Sequence, residues 1–153
     1  MPNTLIVCLG NPLAADDGAG YAVYAALTGR ELPAAVRLRF IGLGGIDLLE
    51  ELAGEERLVV VDAVQLGASP GTVHVLSWEQ LPIRHLRPVS GHGIGIREAV
   101  EVGRKLYPEK MPREIFLIGI EGACFDQLTD TLSPAVAESI PTAIQAVLTL
   151  PDY

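Results

Sequence analysis

Leu5-Ile6-Val7-Cys8-Leu9-Gly10-Asn11-Pro12-Leu13-Ala14-Ala15-Asp16-Asp17-Gly18-Ala19-Gly20 decides how this chain folds. It begins as a short apolar run, the pattern of a buried strand. The run breaks at Gly10-Asn11-Pro12, a turn signal. Two adjacent carboxylates follow, just ahead of the apolar, helix-periodic segment from Tyr21 to Leu27. A strand, a turn and a helix in that order make the opening half of a βαβ unit. In open α/β sheets, ligands collect in the crevice beyond the carboxyl ends of the strands. Asp16 and Asp17 therefore stand at a functional edge.

Outward from this stretch the pattern repeats. Strand one spans Thr4 to Leu9, and helix one Gly18 to Gly29, with Asp16 or Asp17 placed to cap it and Gly29 to stop it. Val36 to Ile41 alternates as a second strand. Ile46 to Leu52 starts a short helix. Arg57 to Ala63 is a third strand whose centre, Leu58-Val59-Val60-Val61, is apolar on both faces, as suits a central parallel strand covered on both sides. Asp62 stands at its end. Thr72 to Trp78 is a fourth strand, expected antiparallel to the third because only the loop Gln65 to Gly71 separates them. Glu79 to Gly91 is a long Pro-containing loop. His92 to Tyr107 is a helix with Ser90 as cap and Ile94, Ala99, Val102 and Leu106 toward the core. Arg113 to Ile120 is a fifth strand, and Glu121 to Asp130 a loop. Ser133-Pro134 starts a last helix running to about Leu150, with a kink expected at Pro141. The order predicts a single domain over residues 1–153, a three-layer α/β sandwich. Its sheet is mixed and mostly parallel, of about five strands, with helices on both faces.

Composition narrows the function. Hydrophobic residues make up 49% of the 153, against disorder, and the net charge of −8 argues against a nucleic-acid partner, which needs a basic patch. Aromatics are only 5%, so the core is built of Leu, Val, Ile and Ala. Cys8 and Cys124 show no metal or redox spacing. No leader pattern or membrane-length apolar run is visible, so a cytoplasmic location without membrane contact is expected.

Asp17, Asp62 and His92 come from three separate connections. With strands one and three adjacent, their carboxyl-end loops share one crevice. Two carboxylates and one imidazole form an O/O/N set suited to a borderline divalent ion such as nickel or zinc, with positions left open. Taken singly, each has a bland alternative: a helix cap, a turn residue, a polar surface group. His74, within a strand, and His85, in the long loop, are weaker candidates. A dinucleotide site is disfavoured because the Gly-x-Gly-x-x-Gly order is absent and two carboxylates at the helix start would repel a pyrophosphate. A serine hydrolase lacks its elbow, since Ser90-Gly91-His92 does not fit Gly-x-Ser-x-Gly.

With these residues in hand, the chain resembles the hydrogenase maturation endopeptidases, which remove a C-terminal extension from the large-subunit precursor of nickel-iron hydrogenases. Leu9-Gly10-Asn11-Pro12-Leu13 with Asp16-Asp17-Gly18-Ala19-Gly20 looks like the family signature. Val59-Val60-Val61-Asp62-Ala63-Val64 looks like a second motif and Ser90-Gly91-His92 a third. Ile118-Gly119-Ile120-Glu121 and Leu132-Ser133-Pro134 follow in matching order. The resemblance puts the family's metal ligands on Asp17, Asp62 and His92. Some relatives carry Glu at the position of Asp17, and many carry Asp-Gly-Gly-Thr where this chain has Phe40-Ile41-Gly42-Leu43. What the resemblance implies is an endopeptidase recognising nickel already inserted in its precursor, so the metal arrives with the substrate. For the cleavage step two routes stay open: a carboxylate such as Asp16 activates water, or the metal polarises the scissile carbonyl or generates hydroxide. The alternatives from other classes are a metal-sensing or chaperone-like module that binds the precursor without cutting it and, more distantly, a small-molecule α/β hydrolase. The loops Glu79 to Gly91 and Glu121 to Asp130 are the expected precursor contacts.

Overall fold

The computed structural model describes residues 3–42, 45–80 and 95–150. Five strands, β1 (Thr4–Leu9), β2 (Val36–Ile41), β3 (Arg57–Val64), β4 (Val73–Ser77) and β5 (Glu114–Glu121), form one sheet in the order β2-β1-β3-β5-β4. β2, β1, β3 and β5 run parallel and β4 runs antiparallel. The expected mixed, mostly parallel sheet is thus observed.

Alternation along each strand builds two cores. Leu5, Val7 and Leu9 of β1, Leu58 and Val60 of β3 and Leu117 of β5 face one way, against Leu48 of α2 (Ile46–Glu51) and Ala99 and Val100 of α3 (Ile96–Leu106). Ile6, Cys8, Val59, Val61, Ile118 and Ile120 face the other way. There they meet Val23 and Leu27 of α1 (Ala19–Thr28) and Val136 and Ile144 of α4 (Pro134–Leu148). A strand with side chains packed on both faces has no polar face to alternate, which is why β3 reads as an unbroken apolar run.

Three local expectations are corrected. β4 pairs with β5, not with β3, because β5 lies between them. The 65–72 connection crosses over the end of β5 and is pinned there. The Leu66 and Ala68 amides donate to the Glu121 carboxylate, and the Gly71 amide donates to the Glu121 carbonyl. Helix one is entered through a 3-10 turn, Ala15–Gly18, and neither Asp16 nor Asp17 caps it; Gly18 is the N-cap and both carboxylates are bonded elsewhere. Leu106 is 64% exposed, since α3 packs through Ala99, Val100 and Gly103 instead. α4 continues through Pro141 to Leu148. Among the described residues, no helix is long and apolar enough to cross a membrane.

Candidate active site

The carboxyl end of β1 is built to hold a turn hard against itself. Gly10 adopts φ 130°, and a Cβ on it would lie 2.1 Å from the Asp17 carbonyl oxygen. Gly20 faces the strand end the same way, its would-be Cβ 2.1 Å from the Leu9 carbonyl oxygen. Only glycine permits such backbone contact. Asn11 then serves twice. Its side-chain oxygen accepts the Leu13 amide at 2.9 Å, and its own amide donates to Asp17 Oδ2 at 2.9 Å. The Gly-Asn-Pro-Leu turn is therefore a cradle for the Asp17 carboxylate.

Asp17 is buried, 3% exposed. Burial raises its pKa above the ordinary carboxylate value, and the Asn11 amide offsets only part of that. Asp62 lies on the neighbouring strand, one residue past the Cys8–Val61 pair that joins β1 to β3. Burial, and after it the charge on Asp17, push the Asp62 carboxyl up to about 8, with the Ala63 amide working against them. Two carboxyls that burial drives toward their protonated forms, one of them further raised by the charge on the other, form a site short of positive charge. A divalent cation would supply it, and two hard oxygen donors accept nickel or zinc within a mixed set. The donor chemistry therefore fits the metal inferred from the sequence.

Gly119 of β5 is in register with Asp62 on one side and with His74 of β4 on the other. No side chain stands between the two; one added at Gly119 would press on Val64 at 3.0 Å. His74 Nε2 lies 3.2 Å from Glu121 Oε1, so this histidine pairs within the sheet. His92, His85, Ser90 and Ile94 lie outside the described residues, as do positions 81–91 of the long loop. The charge on Asp17 acts on the Asp62 carboxyl across the β1–β3 pair.

Asp16 departs from the role of a water-activating base. It is 0% exposed, and its carboxylate takes four donors: the amides of Ala123 (2.8 Å), Cys124 (2.9 Å) and Ser133 (2.7 Å), and the Ser133 hydroxyl (2.8 Å). Burial raises its pKa, but the Ser133, Ala123 and Cys124 amides and the Ser133 hydroxyl outweigh it and hold the carboxyl below its ordinary value. A general base needs a lone pair directed at its substrate. This carboxylate is instead a strut tying the 3-10 turn to the 122–133 loop. Ser133 was read from the sequence as a helix cap. It holds that position, but no side-chain cap bond forms because its hydroxyl is given to Asp16.

Residues 23–150 match the family described as hydrogenase maturation protease (HycI). This chain belongs to the hydrogenase maturation protease family. It is similar to the Hydrogenase 2 maturation protease of Escherichia coli, 28% identical over 146 residues, 94% of this chain and 87% of that protein. It is 30% identical to the hydrogenase expression/formation protein HupM of Azotobacter chroococcum, over 96% of this chain and 70% of that one. Among solved structures, the HybD maturation protease of Thermococcus kodakarensis superposes with a TM-score of 0.80 at 26% identity, covering 98% and 99% of the two chains. The HybD endopeptidase of E. coli superposes with a TM-score of 0.78 at 26% identity, covering 95% and 90%. As a member of this family the chain is a peptide-bond hydrolase, and a module that binds without cutting is disfavoured.

Proposed function

We propose that this protease removes the C-terminal extension of a nickel-iron hydrogenase large-subunit precursor after nickel insertion, using the inserted nickel as its docking point. The observation that carries this is the Asp17–Asp62 pair. Two buried carboxyls, the Asp62 value raised in part by the charge on Asp17, stand at the carboxyl edge of the sheet in a chain of the maturation protease family. Asp17 and Asp62 offer oxygen donors to the precursor's nickel, and His92 completes the set with nitrogen. A weak, open site suits a metal that is carried in by the substrate and leaves with the product.

Docking places the precursor's tail along the edge lined by the 10–18 turn and the 122–133 loop. Asp62 has to give up its proton to solvent for the nickel to bind, so docking is favoured as pH rises toward the Asp62 value. Asp16 is held by four donors in the fold, and the precursor's nickel, held by Asp17, Asp62 and His92, would supply Lewis-acid activation of water or of the scissile carbonyl. The reaction is assigned to the cytoplasm.

The test is mass spectrometry of the precursor after incubation with the protease, with nickel-loaded and nickel-free precursor side by side. Loss of the C-terminal fragment from the loaded form alone is expected. Equal cleavage of both forms removes nickel from the proposal, and cleavage of neither removes the substrate. Asp17→Ala, Asp62→Ala and His92→Ala should each abolish cleavage and weaken cadmium binding in a titration.

A further inference from the structure

Charge is distributed along this chain in blocks. All 11 Lys and Arg residues fall between Arg30 and Arg113, where 11 Asp and Glu residues balance them. The net charge of −8 therefore resides on residues 1–29 and 114–153, which hold eight carboxylates and no Lys or Arg. These two segments meet in space. α1 packs against α4, and the 10–18 turn joins the 122–133 loop through a parallel bridge between Ala14 and Thr129. The wall of the site on the Asp17 side is thus built from the two stretches without a cation of their own.

At the top of this wall stand two leucines. Leu13 is 56% exposed and Leu128 90% exposed. Each precedes a bridge partner, so parallel pairing sets them side by side. Single exposed leucines are ordinary. This pair is different in being displayed on fixed backbone. The Thr129 amide donates to the Leu13 carbonyl at 2.9 Å and the Ala15 amide to the Thr129 carbonyl at 3.0 Å, while the Asp16 strut anchors the loop on either side. Exposed Asp126 and Asp130 flank Leu128. Leu13 is two residues from Asn11, whose amide holds Asp17.

We infer that Leu13 and Leu128, with Asp126 and Asp130 beside them, form a docking surface for a precursor segment that carries an apolar side chain next to Lys or Arg. This rests on the function proposed above and extends it to the recognition of the polypeptide beside the metal. The apolar pair supplies contact area with little ordering cost, because its backbone is already fixed. Asp126 and Asp130, on segments that carry no Lys or Arg, favour a basic segment and disfavour an acidic one, an electrostatic preference that fades as salt is added.

The experiment is steady-state cleavage of the nickel-loaded precursor by four proteins: wild type, Leu13→Ser/Leu128→Ser, Asp126→Lys/Asp130→Lys, and Glu31→Lys as a distant charge control. The serine pair is expected to raise KM about tenfold with kcat within about twofold. The lysine pair is expected to raise KM and to abolish the rise of KM with salt shown by the wild type. Cadmium titration should be unchanged in all four, which shows the acidic pair intact. A photo-crosslinker at position 128 should join to a precursor segment in which Lys or Arg neighbours an apolar residue. A wild type that cuts while the serine pair matches its KM overturns the docking surface alone, as does a crosslink to an acidic stretch. A wild type that leaves the precursor whole overturns the docking surface and the proposed function together.

Discussion

Ser133 donates both its backbone amide and its hydroxyl to the carboxylate of Asp16, at 2.7 and 2.8 Å, across a sequence separation of 117 residues. The first turn of the site and the start of the last helix are thereby one construction. Removing the hydroxyl in Ser133→Ala leaves the amide bond and should cost about 1–2 kcal/mol in chemical denaturation. Asp16→Ala leaves the part-buried amides of Ala123, Cys124 and Ser133 without their acceptor and should cost about 1–3 kcal/mol. Asp16 has a depressed folded pKa, so its contribution is present above the unfolded value near 3.9 and is lost as pH falls through the folded value. In Asp16→Asn the acid limb of the stability curve should be flatter than in wild type.

Asp62 acts in the opposite sense. Its folded pKa of about 8 lies above the unfolded carboxyl value near 3.9. The stability this proton supplies is complete below pH ~4 and drains away as pH rises toward ~8. Asp62→Asn removes that slope. At pH 8 without metal, the variant should melt higher than wild type by roughly 2–4 °C for each kcal/mol recovered. Cadmium should reverse the order, stabilising only the wild type, and its affinity should climb with pH up to about 8. A variant no more stable than wild type at pH 8 would mean that burial and the Asp17 charge do not raise the Asp62 carboxyl.

Gly10→Ala tests the strand-to-turn junction. The new methyl meets the Asp17 carbonyl at 2.1 Å, and φ 130° is itself adverse to a side chain. A loss of roughly 3 kcal/mol or more is expected, with cadmium binding abolished in whatever protein remains folded. Gly54→Ala, where φ is 89° but nothing lies within 4 Å of the new atom, should cost only about 1 kcal/mol. Circular dichroism melts of the two variants separate steric from conformational cost.

The cysteines offer a readout of the core. Burial, reinforced by the charge on Asp62, pushes the Cys8 thiol up to about 12, and the residue is 0% exposed. Native protein should react with one equivalent of a thiol reagent at pH 8, at Cys124. The second equivalent should react only on unfolding. Fast labelling of both thiols in the native state would mean that β1 is not sealed between the helical layers.

Much of this was legible in the amino-acid order. The apolar runs of β1 and β3, the turn at Gly10-Asn11-Pro12 and Pro134 opening α4 are local signals, and local physics decided them. Asp17 and Asp62 could be placed on one edge because parallel neighbours share their carboxyl ends. The position of β5 between β3 and β4 could not be read, because a short loop ordinarily makes a hairpin. What overrules it is Glu121, whose buried carboxylate collects the amides of Leu66 and Ala68 from that loop. The role of Asp16 was hidden for the same reason. Nothing near it in sequence marks Ala123, Cys124 and Ser133 as partners, so a helix cap or a base was the natural assignment. Leu106 kept helical spacing but faces solvent, since Gly103 brings α3 close on another side, where an added Cβ would lie 2.4 Å from Met111 Sδ.

The sheet order has a consequence for the growing chain. β4 leaves the ribosome well before β5, which among the described residues is its one partner in the sheet. Until Glu114–Glu121 has emerged, β4 is an orphan strand and the side of β3 destined for β5 stands open. Ser133 arrives later still to lock Asp16. A nascent chain therefore carries Asp17 and Asp62 long before it carries a finished site, and proteolytic capacity is acquired only after the chain through Ser133 has emerged.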